Sequence, residues 1–124
     1  MIDQTTHVPI LVRDPDKALE FYVGQLGFEK HQDYGKGRKR WLTIAPPASD
    51  VEFALVAGEF VVDPRSQAGV HFTLTTSDCR QEFATLAARG VAFEEPEPVE
   101  MPYGIVASFE DPDGNRFRLL QPAG

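Results

Sequence analysis

The sequence predicts an α+β fold in which one βαβββ unit occurs twice, the copies forming a curled mixed sheet, an open cup, with the helices outside. Three observations predict it. His7 and His71 each open a short β-rich run, and an aspartate follows each after the same seven residues, Asp14 and Asp78. Behind each aspartate runs a helical pattern closed by a glycine, Gly27 or Gly90, and behind each helix come three strand-like segments. The 124 residues are 42% hydrophobic, enough for one domain with an ordinary core, whereas half the chain buries too little alone. The expected boundaries within a single domain 1–124 are module one 1–57, linker 58–68 and module two 69–124.

The elements follow in order. His7–Val12 is a short apolar strand, ended by Arg13. Asp14-Pro15 is a helix start, with the aspartate as cap and the proline at the first helical position. Leu19, Tyr22, Val23 and Leu26 then share one helical face, and Gly27 stands where a left-handed terminal residue belongs. Strands are expected at Phe28–Asp33, Trp41–Ala45 and Val51–Val56, with a glycine-punctuated hairpin tip between the first two. Pro46-Pro47 closes the second, because proline cannot donate to a ladder. In the second half, 71–76 is a strand. Asp78 with Gln81 three residues on forms a capping box, and Phe83, Leu86 and Ala87 give the helical face. Strands are expected at 91–94, 104–109 and 115–120, the last two joined by the tight turn Asp111-Pro112-Asp113-Gly114.

Composition removes several classes of function. One cysteine, Cys79, excludes an intramolecular disulfide framework and a multi-cysteine zinc site. It stands in the first turn of the second helix, where the dipole could lower a thiol pKa, but no catalytic partner is evident. No apolar run approaches the ~18 residues of a membrane span, and the N-terminus has no basic-then-apolar leader. A cytoplasmic protein is expected. Lysine and arginine number 12 against 19 acids, a net charge of −7, which repels nucleic acid and anionic lipid. The basic run Lys36, Arg38, Lys39 and Arg40 spans the hairpin tip and reads as a solvated turn. Glu94, Glu95, Glu97 and Glu100, interleaved with Pro96 and Pro98, read as an exposed edge. A small-molecule ligand is the expected partner.

These residues resemble the vicinal oxygen chelate superfamily, which holds glyoxalases, type-I extradiol dioxygenases, fosfomycin-resistance enzymes and bleomycin-binding proteins. In the first half the resemblance rests on His7, Val12-Arg13-Asp14, Ala18-Leu19-Glu20-Phe21-Tyr22 and Leu26-Gly27-Phe28. In the second it rests on His71, the Asp78 helix, Ala88-Arg89-Gly90-Val91, the phrase Asp111-Pro112-Asp113-Gly114-Asn115, and Leu119-Leu120-Gln121. It implies the double-module cup and, by analogy, a homodimer, with modules paired side by side in one chain or exchanged between chains. It also implies four equivalent facing positions, which in metal-dependent members hold a divalent ion. Here those positions are His7, Ala54, His71 and Arg118. Both carboxylates of the family pattern are missing, and one is replaced by a cation.

The candidate site follows from these positions and from strand alternation. His7 and His71 are the candidate catalytic groups, as acid–base residues or as ligands of Ni, Zn, Mn or Fe if Glu52 or water completes the site. Glu52, two residues from Ala54 on the same face, reaches the site only if the strand register differs from this alignment. Arg118, with Arg116 on the same face, offers a fork for a carboxylate or phosphate, the alternative being an ion pair with Glu52. Trp41, Thr73 and Tyr103 complete the expected ligand contacts, while Phe53 and Phe109 line a wall or fill the core. The expected function is a small-molecule binder with a degenerate metal site. The alternative is an enzyme of lyase, isomerase or dioxygenase type.

Overall fold

The computed structural model describes residues 1–58 and 72–124. The chain divides into two compact units, Met1–Val61 and Val62–Gly124. The first runs β1 (His7–Val12), α1 (Pro15–Leu19) continuing as a π-helical segment Glu20–Gln25, β2 (Glu29–Tyr34), β3 (Trp41–Ala45) and β4 (Glu52–Ala57). Its sheet has the order β1-β4-β3-β2, with β1 and β4 parallel and the other pairs antiparallel. The second runs β5 (Phe72–Thr75), α2 (Cys79–Ala88), β6 (Val99–Met101), β7 (Gly104–Glu110) and β8 (Arg116–Pro122), in the matching order β5-β8-β7-β6. Two copies of an α+β unit are therefore present, each with a four-stranded mixed sheet. Among the described residues no helix is long and apolar enough to cross a membrane.

Local chemistry explains the starts and stops. The Asp14 carboxylate accepts from the Asp16 and Lys17 amides at 3.0 and 3.4 Å, satisfying donors that the first turn leaves open. The first helix departs from the predicted α-helical face. Beyond Leu19 it widens, and the Leu26 amide donates to the Phe21 carbonyl five residues back at 3.0 Å. The wider turn brings neighbouring Phe21 and Tyr22 inward together, 5% and 0% exposed, and turns Val23 out to 41%. In α2, Asp78 accepts from the Gln81 amide at 3.0 Å, which is half of the predicted capping box. The other half is absent because Thr76 Oγ1 already takes the Asp78 amide and the Gln81 side chain donates to Thr85 instead.

One predicted strand is misplaced. Residues 91–94 contribute only a bridge from Phe93 to Phe109, and the edge strand is Val99–Met101. Phe93 is held by its ring, 4.3 Å from Phe83 and 5.6 Å from Phe109, so it seals the space between helix and sheet. The acidic stretch is also more than a solvated edge. Glu94 pairs with Arg116, Glu95 accepts the Ser108 amide, and Glu100 pairs with Arg80.

The large side chains of each core lie mostly on one face of its own sheet. In the first unit Ile10, Val12, Leu42, Ile44, Phe53 and Leu55 are buried on the face that takes the Ala18–Leu26 helix. In the second, Phe109 and Phe117 stack at 5.4 Å and are fully buried, beside Leu119 and Leu86. Phe53 and Phe109 are thus core residues. So is Cys79, whose amide donates to the Gln121 side chain and whose thiol pKa is pushed up by burial, against the pull of the Arg80 charge.

Candidate functional site

The functional candidates stand on the opposite sheet faces, which among the described residues carry no helix of their own unit. In the first unit, strand alternation puts His7, Pro9, Leu11, Glu52, Ala54, Val56, Trp41, Thr43 and Ala45 on that face. The parallel register pairs His7 with Glu52 and Pro9 with Ala54. Glu52, not Ala54, is therefore the ladder neighbour of His7, and its Oε2 lies 3.7 Å from His7 Nε2. The registers set Ala54 opposite Pro9 and Arg118 opposite Thr73. The sequence alignment missed that the parallel pair puts the residue facing His7 two positions earlier on β4.

A second histidine joins from β2, and sequence reasoning did not find it. The β2–β3 ladder slips between Lys30 and Gln32, which leaves His31 as the extra residue of a bulge. Bulges re-aim side chains, and here Nδ1 of His31 comes within 3.4 Å of Glu52 Oε1 while Nε2 lies 3.8 Å from Glu29 Oε2. Thr43 and Ala45 on the intervening strand are small and fully buried, so the imidazole has a low surface to cross. No alternation marks His31 in the sequence, because Glu29–Tyr34 is polar on both faces.

Trp41 covers the remaining part of this face. Its ring centroid is 5.0 Å from that of His7, and its Nε1 donates to Gln32 Oε1 at 2.7 Å. His7 and Trp41 stand on strands separated by β4, so the indole has to lean back across the Thr43–Ala54 row. Ala54 is 4% exposed and small enough to serve as floor. His7 Nδ1 is taken by Thr6 Oγ1 at 2.8 Å. The other ring nitrogen and Glu52 Oε1 are buried without a hydrogen bond. Their nearest charged neighbours lie at ion-pair rather than hydrogen-bond geometry, 3.7 Å for the imidazole and 3.4 Å for the carboxylate, and a buried polar atom without a hydrogen bond carries a cost that a ligand group would remove.

In the second unit Thr73, Arg118 and Ser108 form one row across β5, β8 and β7, followed by Thr75, Leu120, Val106 and Val99. Arg116 and Arg118 fare differently. Arg116 is clamped by Glu94 through three contacts of 2.9–3.0 Å and lies 4.0 Å from Glu110, so its charge is used within the unit. Among the described residues of its unit Arg118 has a single polar contact, donating from Nη1 to the Tyr103 hydroxyl at 3.5 Å, and its Nε is buried without a hydrogen bond. Arg40 also departs from its reading as part of a solvated tip. It holds Asp33 through both carboxylate oxygens and Asp16 through one, each at 3.0 Å, raising its own pKa and depressing that of Asp33.

His71 lies outside the described residues, as does the expected linker beyond residue 58. Among the described residues no three His, Cys, Asp or Glu side chains are grouped so as to hold a metal ion. Ala54 offers no donor atom, and the Arg118 guanidinium repels a cation. A cavity of about 590 Å³ opens at the far end of β1 and β4 from His7, lined by Arg13, Arg38, Arg40, Leu55 and Val56 among others.

Against known proteins, residues 2–119 match the family described as Glyoxalase/Bleomycin resistance protein/Dioxygenase superfamily. The crystal structure of UcmS2 superposes with a TM-score of 0.82 at 35% identity, covering 98% of this chain and 99% of that one. TnmS3, an antibiotic binding protein from Streptomyces sp. CB03234, superposes with a TM-score of 0.81 at 35% identity over 98% of both chains. The lactoylglutathione lyase GLX1 of Arabidopsis thaliana is 30% identical over 122 residues, which span 93% of this chain and 43% of the plant protein.

Proposed function

We propose, because this chain belongs to the glyoxalase/bleomycin resistance protein/dioxygenase superfamily, that it is a small-molecule-binding protein whose family metal site has degenerated and whose sheet faces take an organic ligand. One observation carries the proposal. His7 Nε2 and Glu52 Oε1 are buried without a hydrogen bond beside a tryptophan that is 40% exposed, on a face without a helix of its own unit among the described residues. An indole wall with a few convergent polar atoms is the ordinary composition of an organic-ligand site. The resemblance to an antibiotic binding protein over 98% of both chains supports the same reading. The arginine at the fourth family position, Arg118, supports binding without a metal-dependent step. Assembly as a homodimer belongs to this proposal, and a scattering mass of one chain, 13.8 kDa, would remove that part of it.

Trp41 is the single tryptophan of the chain, so fluorescence excited selectively at tryptophan reports on this face alone. Titration with a panel of polycyclic aromatic natural products, antibiotics among them, is expected to give saturable quenching by at least one member. Glu52→Gln or His7→Ala should weaken that ligand by about tenfold, the worth of one polar contact to a charged group. A panel that changes neither Trp41 emission nor melting temperature would overturn the proposal.

The alternative is an enzyme, with His7 and His71 as acid–base groups or metal ligands. The imidazole–carboxylate contact of His7 with Glu52 at 3.7 Å favours it, since a carboxylate beside a histidine suits the pair to proton transfer. The likeness to a lactoylglutathione lyase makes S-lactoylglutathione the first substrate to try. Turnover by the purified chain that His7→Ala abolishes would favour catalysis. None, with or without added Ni²⁺, Zn²⁺, Mn²⁺ or Fe²⁺, would remove lactoylglutathione chemistry.

A further inference from the structure

We infer that the open face of the second unit recognises an organic monoanion, a carboxylate carried on an apolar body, with Arg118 as the residue that reads the charge. The inference rests on the small-molecule reading above and adds the ligand's chemical class.

The argument begins with the unit's own charges. Arg80 reaches Glu100 at 3.1 Å, and Arg116 is held by Glu94 at 2.9 Å. Arg118, among the described residues of its unit, has no carboxylate within ion-pairing distance, although acids outnumber bases 19 to 12 in the chain. A shortage of anions therefore does not explain its isolation. Its Nε is buried without a partner, and the contact of Nη1 with the Tyr103 hydroxyl, at 3.5 Å, is too long to be strong. A guanidinium held in this way presents a planar donor fork whose natural complement is a carboxylate.

The surroundings define the rest of the ligand. Thr73 is the ladder partner of Arg118 and is exposed, so its hydroxyl stands beside the fork. Tyr103 is fixed through its backbone, its carbonyl accepting from the Ala123 amide at 2.9 Å, while its side chain stays 50% exposed. The next rows of the same face are apolar. Val99 and Met101 on the edge strand, 39% and 43% exposed, pair with Val106 and Gly104. A charged row beside an apolar one matches a ligand with an anionic end and a hydrophobic remainder. The charge it can carry is limited to one. Arg116, the only other arginine on β8, is already neutralised by Glu94, and the net charge of −7 opposes polyanions.

The test uses the full chain and two isosteric probes, naphthoate and the neutral naphthylmethanol, followed by calorimetry and by protein NMR. Wild type is expected to bind naphthoate at least tenfold more tightly than the alcohol, as expected of one charge-assisted pair. Arg118→Gln should abolish this preference while leaving the alcohol's affinity unchanged. Arg118→Lys should restore part of it, because an ammonium keeps the charge and loses the fork. Tyr103→Phe should weaken naphthoate more than the alcohol. Melting curves of all variants verify folding. Equal affinity for the two probes in wild type overturns the anion assignment and leaves the small-molecule reading standing, as does a preference that survives in Arg118→Gln. Absence of binding by either probe, with self-association lost in Arg118→Gln, also overturns it and gives the guanidinium to a contact between copies of the chain.

Discussion

Replacing Asp111 by alanine tests how the turn between β7 and β8 supports the Arg118 face. Asp111 is 5% exposed, and its carboxylate accepts from the Asp113 amide at 2.9 Å, the Asn115 amide at 2.7 Å and the Asn115 side-chain amide at 2.8 Å. Hydrogen bonds to an ionised acceptor are worth about 1.5–3 kcal/mol each, so these three together are worth roughly 5–9 kcal/mol before water compensates. Asp113 and Asn115 are half-buried, however, and water recovers much of what their donors lose. A net loss of about 3 kcal/mol is the working figure, which for a chain this size lowers the melting temperature by roughly 10–15 °C. Asp111→Asn keeps one acceptor oxygen but sets an NH₂ against the Asn115 amide, and should cost about 1–2 kcal/mol. The assay is urea unfolding of wild type, both Asp111 variants, Asn115→Ala and the Asp111/Asn115 double variant. The cycle should return a coupling of about 1 kcal/mol or more. Below its melting temperature the alanine variant should still hold Arg118 opposite Ser108, because a one-residue slip would drive buried Phe109 and Phe117 to the other face. A loss under about 1 kcal/mol for Asp111→Ala, or equal losses for Ala and Asn, would refute this account of the turn.

Two further predictions follow from the first and second units respectively. Asp33 has its pKa depressed below the usual 3.8, first by its hydrogen bond to Arg40. A depressed folded value means that the pair's contribution is present above the unfolded pKa and is lost as pH falls through the folded one. Arg40→Met should therefore melt below wild type at neutral pH, with the gap narrowing as pH drops under 3.8, and a gap undiminished in strong acid would contradict the pairing. Gly104 has φ +150°, and a methyl there would sit 2.2 Å from the Gln121 carbonyl oxygen and 3.0 Å from Leu120 Cδ1. Gly104→Ala should cost about 2–3 kcal/mol or more in thermal unfolding. Gly24→Ala, where the methyl meets nothing within 4 Å in the π-helical segment, should be neutral or stabilising, and the reverse order would sink the argument.

What was legible in the sequence was local or repeated. The Asp14 and Asp78 caps, the glycines that end the helices, and the Asp111–Asn115 turn each act within a few residues, so composition and spacing reveal them. The equivalence of Ala54 with Arg118 followed from the repeat. The pairing of His7 with Glu52 did not, because equivalence between copies says nothing about register within one copy. His31 was invisible because a bulge inserts a residue without a sequence mark of its own. Phe93 looked like strand and serves as packing, since its partners Phe83 and Phe109 come from a helix and a distant strand. Arg40 looked like part of a solvated run because its anchors, Asp33 and Asp16, come from another strand and a helix.

The bulge at His31 has an evolutionary consequence. Lys30 faces Ile44 and Gln32 faces Thr43, so the ladder on either side continues as though His31 were not counted. Deletion of that single codon would leave Tyr34 opposite Trp41 and Glu29 opposite Ala45, with the core-facing pattern of β3 untouched. The imidazole beside Glu52 is therefore a detachable part. A lineage can acquire or discard it by one insertion or deletion, altering the chemistry offered to a ligand without renegotiating the sheet beneath.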